Sequence, residues 1–278
     1  MSLVRRMDAA AAGGAALLGE AVLSPLRQGV LAHQQPDGGF RGRSGGSDAW
    51  YTAFALRCLE LTGGIPEGIA TSVRGWLERQ AKPADRRAHL DHVTIALLVR
   101  AAPPPTQSWP AATGSYDAFA AAVAADLQGL AVPMFSESAL HAEMATQVPA
   151  TAAALIALRL AGRLDASQRE RAVAYLVAQQ QPCGGLLVHA GAPQADLLST
   201  ATAAWALAAC RRLQGADVAG LARFAVACRR SDGFGALPGD EASDPEYTWY
   251  GLTLLALLRR FSNPGPAGWL RRRGWWPP

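Results

Sequence analysis

Cysteine is scarce in this chain. Only four occur in 278 residues, and none belongs to a CxxC pair or lies in a histidine-rich spacing. This distribution favours reduced thiols and a cytoplasmic protein over a disulfide framework. The four residues are Cys58, Cys183, Cys210 and Cys228.

Several patterns that would define a function class are also missing. No apolar stretch reaches the roughly 18 residues of a transmembrane helix, and Asp8 and Glu20 interrupt the segment where a signal peptide would lie. The sequence has no glycine-rich phosphate loop, no Ser-His-Asp set and no DDxxD cluster for magnesium-dependent ionisation. The net charge of +4 comes mainly from scattered basic residues, so nucleic acid is not an expected partner.

Isoleucine, tyrosine and phenylalanine are sparse, whereas alanine and leucine dominate the apolar set. Alanine and leucine favour helices, and the scarce residues are those that favour strands. We therefore expect an all-α protein. With 50% hydrophobic residues the chain is long enough for one large core or two small domains. The repeat described next favours one domain over residues 1–278.

A five-residue signature recurs at the start of three predicted helices, at residues 48–52, 196–200 and 244–248. Each copy begins with Asp, has Thr at its fifth position and follows a glycine-containing loop. The second and third copies are 48 residues apart, and the first precedes the second by 148. A fixed period of this size indicates stacked helical hairpins. It predicts two degenerate copies between the first and second clear ones.

Five helical hairpins with flanking terminal helices are predicted, giving eleven or twelve helices. Helix 116–127 is expected to pair with helix 147–160 across a loop that contains His141 and Glu143. The predicted helices span residues 8–20, 22–34, 48–61, 73–80, 91–101, 116–127, 147–160, 169–181, 196–211, 218–229 and 244–259.

The second helix of each hairpin is apolar nearly all round, as in residues 200–209 and 252–258, whereas the first carries polar residues on one side. A helix without a polar face is buried. This predicts an inner ring of buried helices inside an outer amphipathic ring, an α/α toroid. An open solenoid is the alternative.

The loops and signatures at residues 34–53, 179–201 and 231–248 resemble the repeats of protein prenyltransferase β subunits and of squalene or terpene cyclases. The resemblance covers most of the chain. It implies an α/α toroid whose central cavity is lined by aromatic side chains and holds an isoprenoid. The resemblance is stronger evidence for the fold than for any one activity, since one fold hosts several functions.

Zinc-dependent members of this family carry Cys at the third position of one signature and His at the fourth position of another. Here the third positions are Trp50, Leu198 and Glu246, which do not form a zinc ligand set. His92, one residue out of register, is the single alternative ligand. The resemblance therefore implies no metal and no zinc cofactor, with Mg²⁺ possible if a diphosphate is bound.

Proton-initiated (class II) cyclases carry Asp-x-Asp-Asp-Thr at this place, and the central acid protonates an alkene. The third copy keeps carboxyl groups at Asp244 and Glu246, whereas Tyr247 and Pro245 depart from the pattern. The resemblance implies that Glu246 is the catalytic acid and that Asp244 orients it or keeps it protonated. The alternative is that Asp244 only caps the helix and Glu246 favours its dipole.

The resemblance also implies a substrate-binding set near the signature loops. Aromatic rings would stabilise a passing positive charge, and Arg43, with His189 in a similar place, would bind a diphosphate. The set comprises Asp48, Trp50, Tyr51, Phe54, Arg43, Asp196, His189, Trp205, Tyr247, Trp249 and Tyr250.

The expected activity is a terpene-cyclase-like reaction on a polyprenyl or polyprenyl diphosphate substrate. The alternatives are a zinc-free prenyltransferase-like enzyme and a non-catalytic toroid that binds an isoprenoid or a protein. A partner subunit over the cavity is compatible with the resemblance. The basic and tryptophan-rich segment 269–276 predicts peripheral membrane contact, or else closure of the ring against the N-terminal helix.

Overall fold

A computed structural model of the protein describes residues 3–261, and they are mostly helical. Two short strands, β1 (Leu186–Leu187) and β2 (Ala195–Asp196), pair antiparallel within one loop. The helices are α1 (Leu3–Ala15), α2 (Glu20–Leu31), α3 (Ala49–Leu61), α4 (Glu67–Glu78), α5 (Arg86–Leu98), α6 (Ser115–Gln128), α7 (Glu137–Glu143), α8 (Val148–Leu160), α9 (Ala166–Ala178), α10 (Leu197–Ala209), α11 (Val218–Ala227) and α12 (Pro245–Phe261).

Six helices form a closed inner ring. In chain order α3, α5, α6, α8, α10 and α12 each contact the next, and α12 returns to contact α3. The described residues therefore form a closed α/α toroid, as the sequence predicted, and not an open solenoid. The amphipathic helices α2, α4, α7 and α11 pack outside this ring against their successors, and α9 packs against α8.

Burial separates the two rings. In α8 every residue from Val148 to Leu158 is buried, and five of these eleven are alanine, which lets neighbouring backbones approach closely. The outer helix α4 buries only Ala70, Val73 and Trp76, which lie on one helical stripe. Helix α8 thus has no polar face to present to water, and this is why it occupies the centre.

The prediction for residues 116–127 is wrong in one respect. The helix there, α6, is an inner helix between α5 and α8 and not the outer partner of α8. The proline-rich segment 101–114 that precedes it contains no helix, so this unit lacks an outer member. As a result three inner helices, not two repeat copies, lie between α3 and α10.

Two further differences move individual side chains. His141 and Glu143, predicted in a loop, belong to α7, whose first turn is capped by Ser136. Helix α5 is capped by Asp85, whose carboxylate accepts a hydrogen bond from the backbone amide of Ala88 at 2.9 Å. Asp91, expected at the start of this helix, therefore lies in its second turn.

Helix α1 lies across the C-terminal ends of the inner helices. The backbone amide of Val4 donates to Asp126 near the end of α6 at 3.0 Å. Gly14 packs so closely that a β-carbon there would lie 1.9 Å from the carbonyl oxygen of Ala256 in α12. One end of the ring is thereby covered, and the signature loops surround the other end.

No described helix is long and apolar enough to cross a membrane by itself, and α1 with α2 passes that test only as a pair bent by 119°. All four cysteines are free thiols. The tryptophan-rich segment 269–276 lies outside the described residues, so its membrane role stays a prediction.

Candidate active site

The signature has a structural explanation at its first position. In each clear copy the aspartate caps an inner helix by accepting a hydrogen bond from the backbone amide three residues later. The distances are 2.8 Å for Asp48, 2.7 Å for Asp196 and 2.9 Å for Asp244. All three aspartates thus set where an inner helix begins.

The signature threonine fixes the glycine loop to the helix. The hydroxyl of Thr52 accepts a hydrogen bond from the amide of Phe40 at 2.9 Å. Thr200 and Thr248 do the same for loop residues 186 and 234, at 2.8 and 3.2 Å. The second, third and fourth signature positions are therefore the ones left free for chemistry.

A cavity of about 270 Å³ lies inside the ring. Each inner helix contributes residues about one turn apart, such as Trp50, Phe54 and Arg57 on α3. The span from Trp50 to Arg57 is about two turns and corresponds to a depth of about 10 Å. Val4 of α1 is part of the lining, whereas Trp50 and Tyr116 are 38% and 40% exposed at the opposite, open end.

The cavity has one aromatic wall and one wall of small residues. Ring centroids lie 5.0 Å apart for Trp50 and Phe54, 5.2 Å for Phe54 and Trp249, and 5.3 Å for Trp249 and Tyr250. These separations suit edge-on and tilted aromatic contacts. Alanines of α8 and α10 form the small wall, at positions 152, 153 and 201. The predicted aromatics that line the cavity are Trp50, Phe54, Trp205, Trp249 and Tyr250.

Glu246 lies beside the open end of the cavity but is not part of its lining. The indole nitrogen of Trp50 donates a hydrogen bond to its carboxyl oxygen Oε2 at 3.0 Å. Burial raises the pKa of Glu246, the charges of Asp244 and Asp48 add to this effect, and Trp50 and Arg43 oppose it. A carboxyl group that retains its proton more readily than usual therefore stands next to a cavity-lining ring.

Asp244 is fully engaged elsewhere. Its Oδ1 caps α12, and its Oδ2 accepts a hydrogen bond from Arg43 Nε at 2.8 Å. The predicted sharing of hydrogen bonds between Asp244 and Glu246 is therefore not found, and the two carboxyl groups interact only through charge. Arg43 also pairs with Asp240 at 2.9 Å, so carboxylates occupy the nitrogens that were predicted to bind a diphosphate.

Arg43→Ala is expected to lower the free energy of unfolding by about 1–2 kcal/mol, because it leaves the buried Asp244 carboxylate without its charged donor. Urea unfolding would measure the change. Arg212→Ala is the matched control, since it removes an exposed arginine–glutamate pair and should lower the free energy of unfolding much less, because solvent screens such a pair. An equal decrease in the free energy of unfolding of the two variants would contradict a stabilising role for the Arg43–Asp244 contact.

The remaining predicted residues do not line the cavity. His189 is exposed, and its Nδ1 accepts a hydrogen bond from the backbone amide of Gly191 at 3.1 Å. The ring of Tyr51 packs under Gly42, and Tyr247 lies 5.4 Å from the Arg43 guanidinium carbon, with burial raising its pKa to about 12. His92 is buried, and burial lowers its pKa.

The cavity lining contains three charged residues that sequence reasoning missed, Asp91, Arg57 and, at the rim, Arg87. Within residues 3–261 the Asp91 carboxylate has no hydrogen-bond or ion-pair partner. Burial raises the pKa of Asp91 to about 7, Arg57 lowers it, and Asp48 and Asp85 raise it further. The guanidinium of Arg57 lies 5.3 Å over the ring of Trp249.

Asp91→Asn is expected to become more stable relative to the wild type as pH rises from about 4 to 8. The folded-state pKa of Asp91, about 7, exceeds the usual 3.8, so folding holds a proton that the unfolded chain releases. The stabilisation from this proton is complete below pH 3.8 and is lost as pH rises through 7. Urea unfolding of both proteins across this range is the test. A difference in stability that does not change with pH would contradict the assignment.

The family model described as "Prenyltransferase alpha-alpha toroid domain" matches residues 20–275. The chain therefore belongs to the prenyltransferase α/α-toroid family, as the repeats indicated. No curated protein matches the chain.

A zinc site would need several ligating side chains grouped together. Within the described residues no three His, Cys, Asp or Glu side chains are grouped to hold a metal ion. Of the third signature positions, Trp50 and Leu198 cannot ligate zinc, and Glu246 alone does not make a ligand set. The described residues thus do not fit the zinc site of this family.

Proposed function

We propose that the protein is a prenyl-related enzyme that binds an isoprenoid in the ring cavity and cyclises it after protonation of a double bond. The observation that carries this proposal is an aromatic-lined cavity whose open end lies beside the Glu246–Trp50 hydrogen bond. Its volume of about 270 Å³ is just below the roughly 300–1,000 Å³ of drug-sized sites, which favours a short chain.

In this proposal the alkene lies against Trp50, and Glu246 delivers the proton. The proton adds to one alkene carbon and leaves a cation on the other, while Glu246 becomes a carboxylate. The π electrons of a second double bond then form the ring bond. Loss of a proton from a carbon next to the new cation restores a double bond, so the product is an isomer of the substrate. The aromatic wall stabilises the intermediate cation.

Asp244 contributes by fixing the first turn of α12, which carries Glu246, and Arg43 holds Asp244 in place. A diphosphate is not required for this chemistry. If the natural substrate carries one, the diphosphate would lie at the open end, where Asp244 and Asp240 already occupy the Arg43 guanidinium. The polar group would then remain outside the cavity while the hydrocarbon enters.

The test is incubation of the purified protein with C10 to C30 isoprenoids and their diphosphates in D₂O. Proton-initiated cyclisation places one deuterium from the solvent at the initiating carbon of an isomeric product. Diphosphate release without deuterium incorporation would instead support the zinc-free prenyltransferase alternative. Tight binding without turnover would support the non-catalytic isoprenoid-binding alternative. Repeating the assay with EDTA, together with metal analysis, tests the predicted independence from zinc.

A further inference from the structure

Asp91 is part of the cavity lining, which is otherwise mostly apolar. It occupies the middle turn of the cavity, one turn below Arg87 at the rim and about one turn above Thr94. An unpaired carboxylate in such a place is costly unless a ligand offsets the cost.

The neighbours of Asp91 favour a positively charged partner. Helix α5 stands between α3 and α6 in the ring, and both place a phenylalanine at the same depth, Phe54 and Phe119. Aromatic faces and a carboxylate both attract cations, and their effects add in a dry cavity. This combination is poorly suited to an anionic group.

The arginines near Asp91 already contact other side chains. Arg57 of α3 is engaged with the Trp249 ring, and Arg87 at the rim pairs with Asp117 and lies over Tyr116. Asp48 and Asp85, the caps of α3 and α5, add negative charge near the open end. Arg57, from the turn below, and Arg87, at the rim, both oppose a cation, and the pairing of Arg87 with Asp117 offsets part of its charge.

We propose that Asp91 and the aromatic wall form a binding site for a positively charged centre inside the cavity, and that Asp91 accepts the proton that ends the reaction. The inference rests on the proposed function. In the final step the C–H bond next to the cationic carbon breaks, its electrons form the new C=C bond, and the proton goes to the Asp91 carboxylate. Glu246 starts the reaction and Asp91 ends it, and solvent returns the proton between turnovers.

The experiment compares two probes that need no turnover, a short isoprenoid with a tertiary amine and the hydrocarbon of the same shape. At pH 8 the wild type is expected to bind the amine about tenfold or more tightly than the hydrocarbon. Asp91→Asn should lose this preference and Asp91→Glu should keep part of it. Glu78→Gln, which removes an exposed carboxylate from the outer helix α4, should leave the preference unchanged.

A preference for the amine that survives in Asp91→Asn, with native circular dichroism, would overturn the inference. Product analysis supplies the second readout, since Asp91→Asn should still consume substrate but form more alcohol through capture of the cation by water. Identical products from wild type and variant would also overturn the inference. Absence of cyclisation in the wild type, together with an Asp91-dependent amine preference, would overturn the proposed reaction and leave the cation site standing.

Discussion

Glu246→Gln is expected to reduce the rate of isoprenoid cyclisation by about 10²–10⁴-fold, because glutamine cannot deliver the initiating proton. The side chain keeps its size, and its amide oxygen can still accept the hydrogen bond from Trp50. The affinity for the isoprenoid should therefore change little. Turnover is measured by product formation, and affinity by quenching of the fluorescence of the cavity tryptophans.

The matched control is Glu241→Gln. Glu241 is an exposed glutamate five residues earlier, in the loop that precedes α12. It should retain the wild-type rate. If Glu246→Gln cyclises its substrate at the wild-type rate, Glu246 is not the acid. If both rate and affinity fall together with the unfolding free energy, the residue acts in folding.

Ala153→Phe is expected to lower isoprenoid affinity by about 100-fold while the protein stays folded. Ala153 belongs to the small wall of α8, and a phenyl ring placed there occupies much of a cavity of about 270 Å³. Overpacking a filled core usually costs about 1–3 kcal/mol. Here the new ring enters an open cavity, so the stability should change less than the affinity.

Ala166→Phe provides the comparison, since residue 166 is exposed at the start of the outer helix α9. Its affinity should match the wild type. Unchanged affinity in Ala153→Phe, measured by titration with the same isoprenoid, would show that the ligand does not occupy this cavity.

The ring itself could be predicted because its causes are local. The cap at Asp48 and the loop contact of Thr52 recur in later copies at fixed spacing, and helices without a polar face indicate burial. These features are visible in one sequence. The identity of α6 as an inner helix was missed because the missing outer helix broke the period, although its alanine-rich, apolar sequence contained the signal.

The site could be predicted only in part. The aromatics of α3 and α12 line the cavity because they follow the signature by less than two turns. Contacts such as Trp50 with Glu246 and Arg43 with Asp244 join residues about 200 positions apart, so they depend on how the ring closes. Nothing local in the sequence specifies such pairs.

Asp91 was missed for a different reason. The predicted helix began at residue 91, whereas the observed helix is capped by Asp85, which places Asp91 in the second turn and in the cavity lining. The histidine and arginine residues near Asp85 obscured the start of α5, since the cap lies before a charged rather than an apolar stretch.

The most direct test of the central claim is a crystal structure of the protein with a short, unreactive isoprenoid analogue. The account predicts that the hydrocarbon lies inside the ring between the Phe54–Trp249 wall and the alanines of α8, with its initiating carbon near Trp50 and Glu246. An analogue bound on the outer helices, with the cavity closed by side chains, would contradict it.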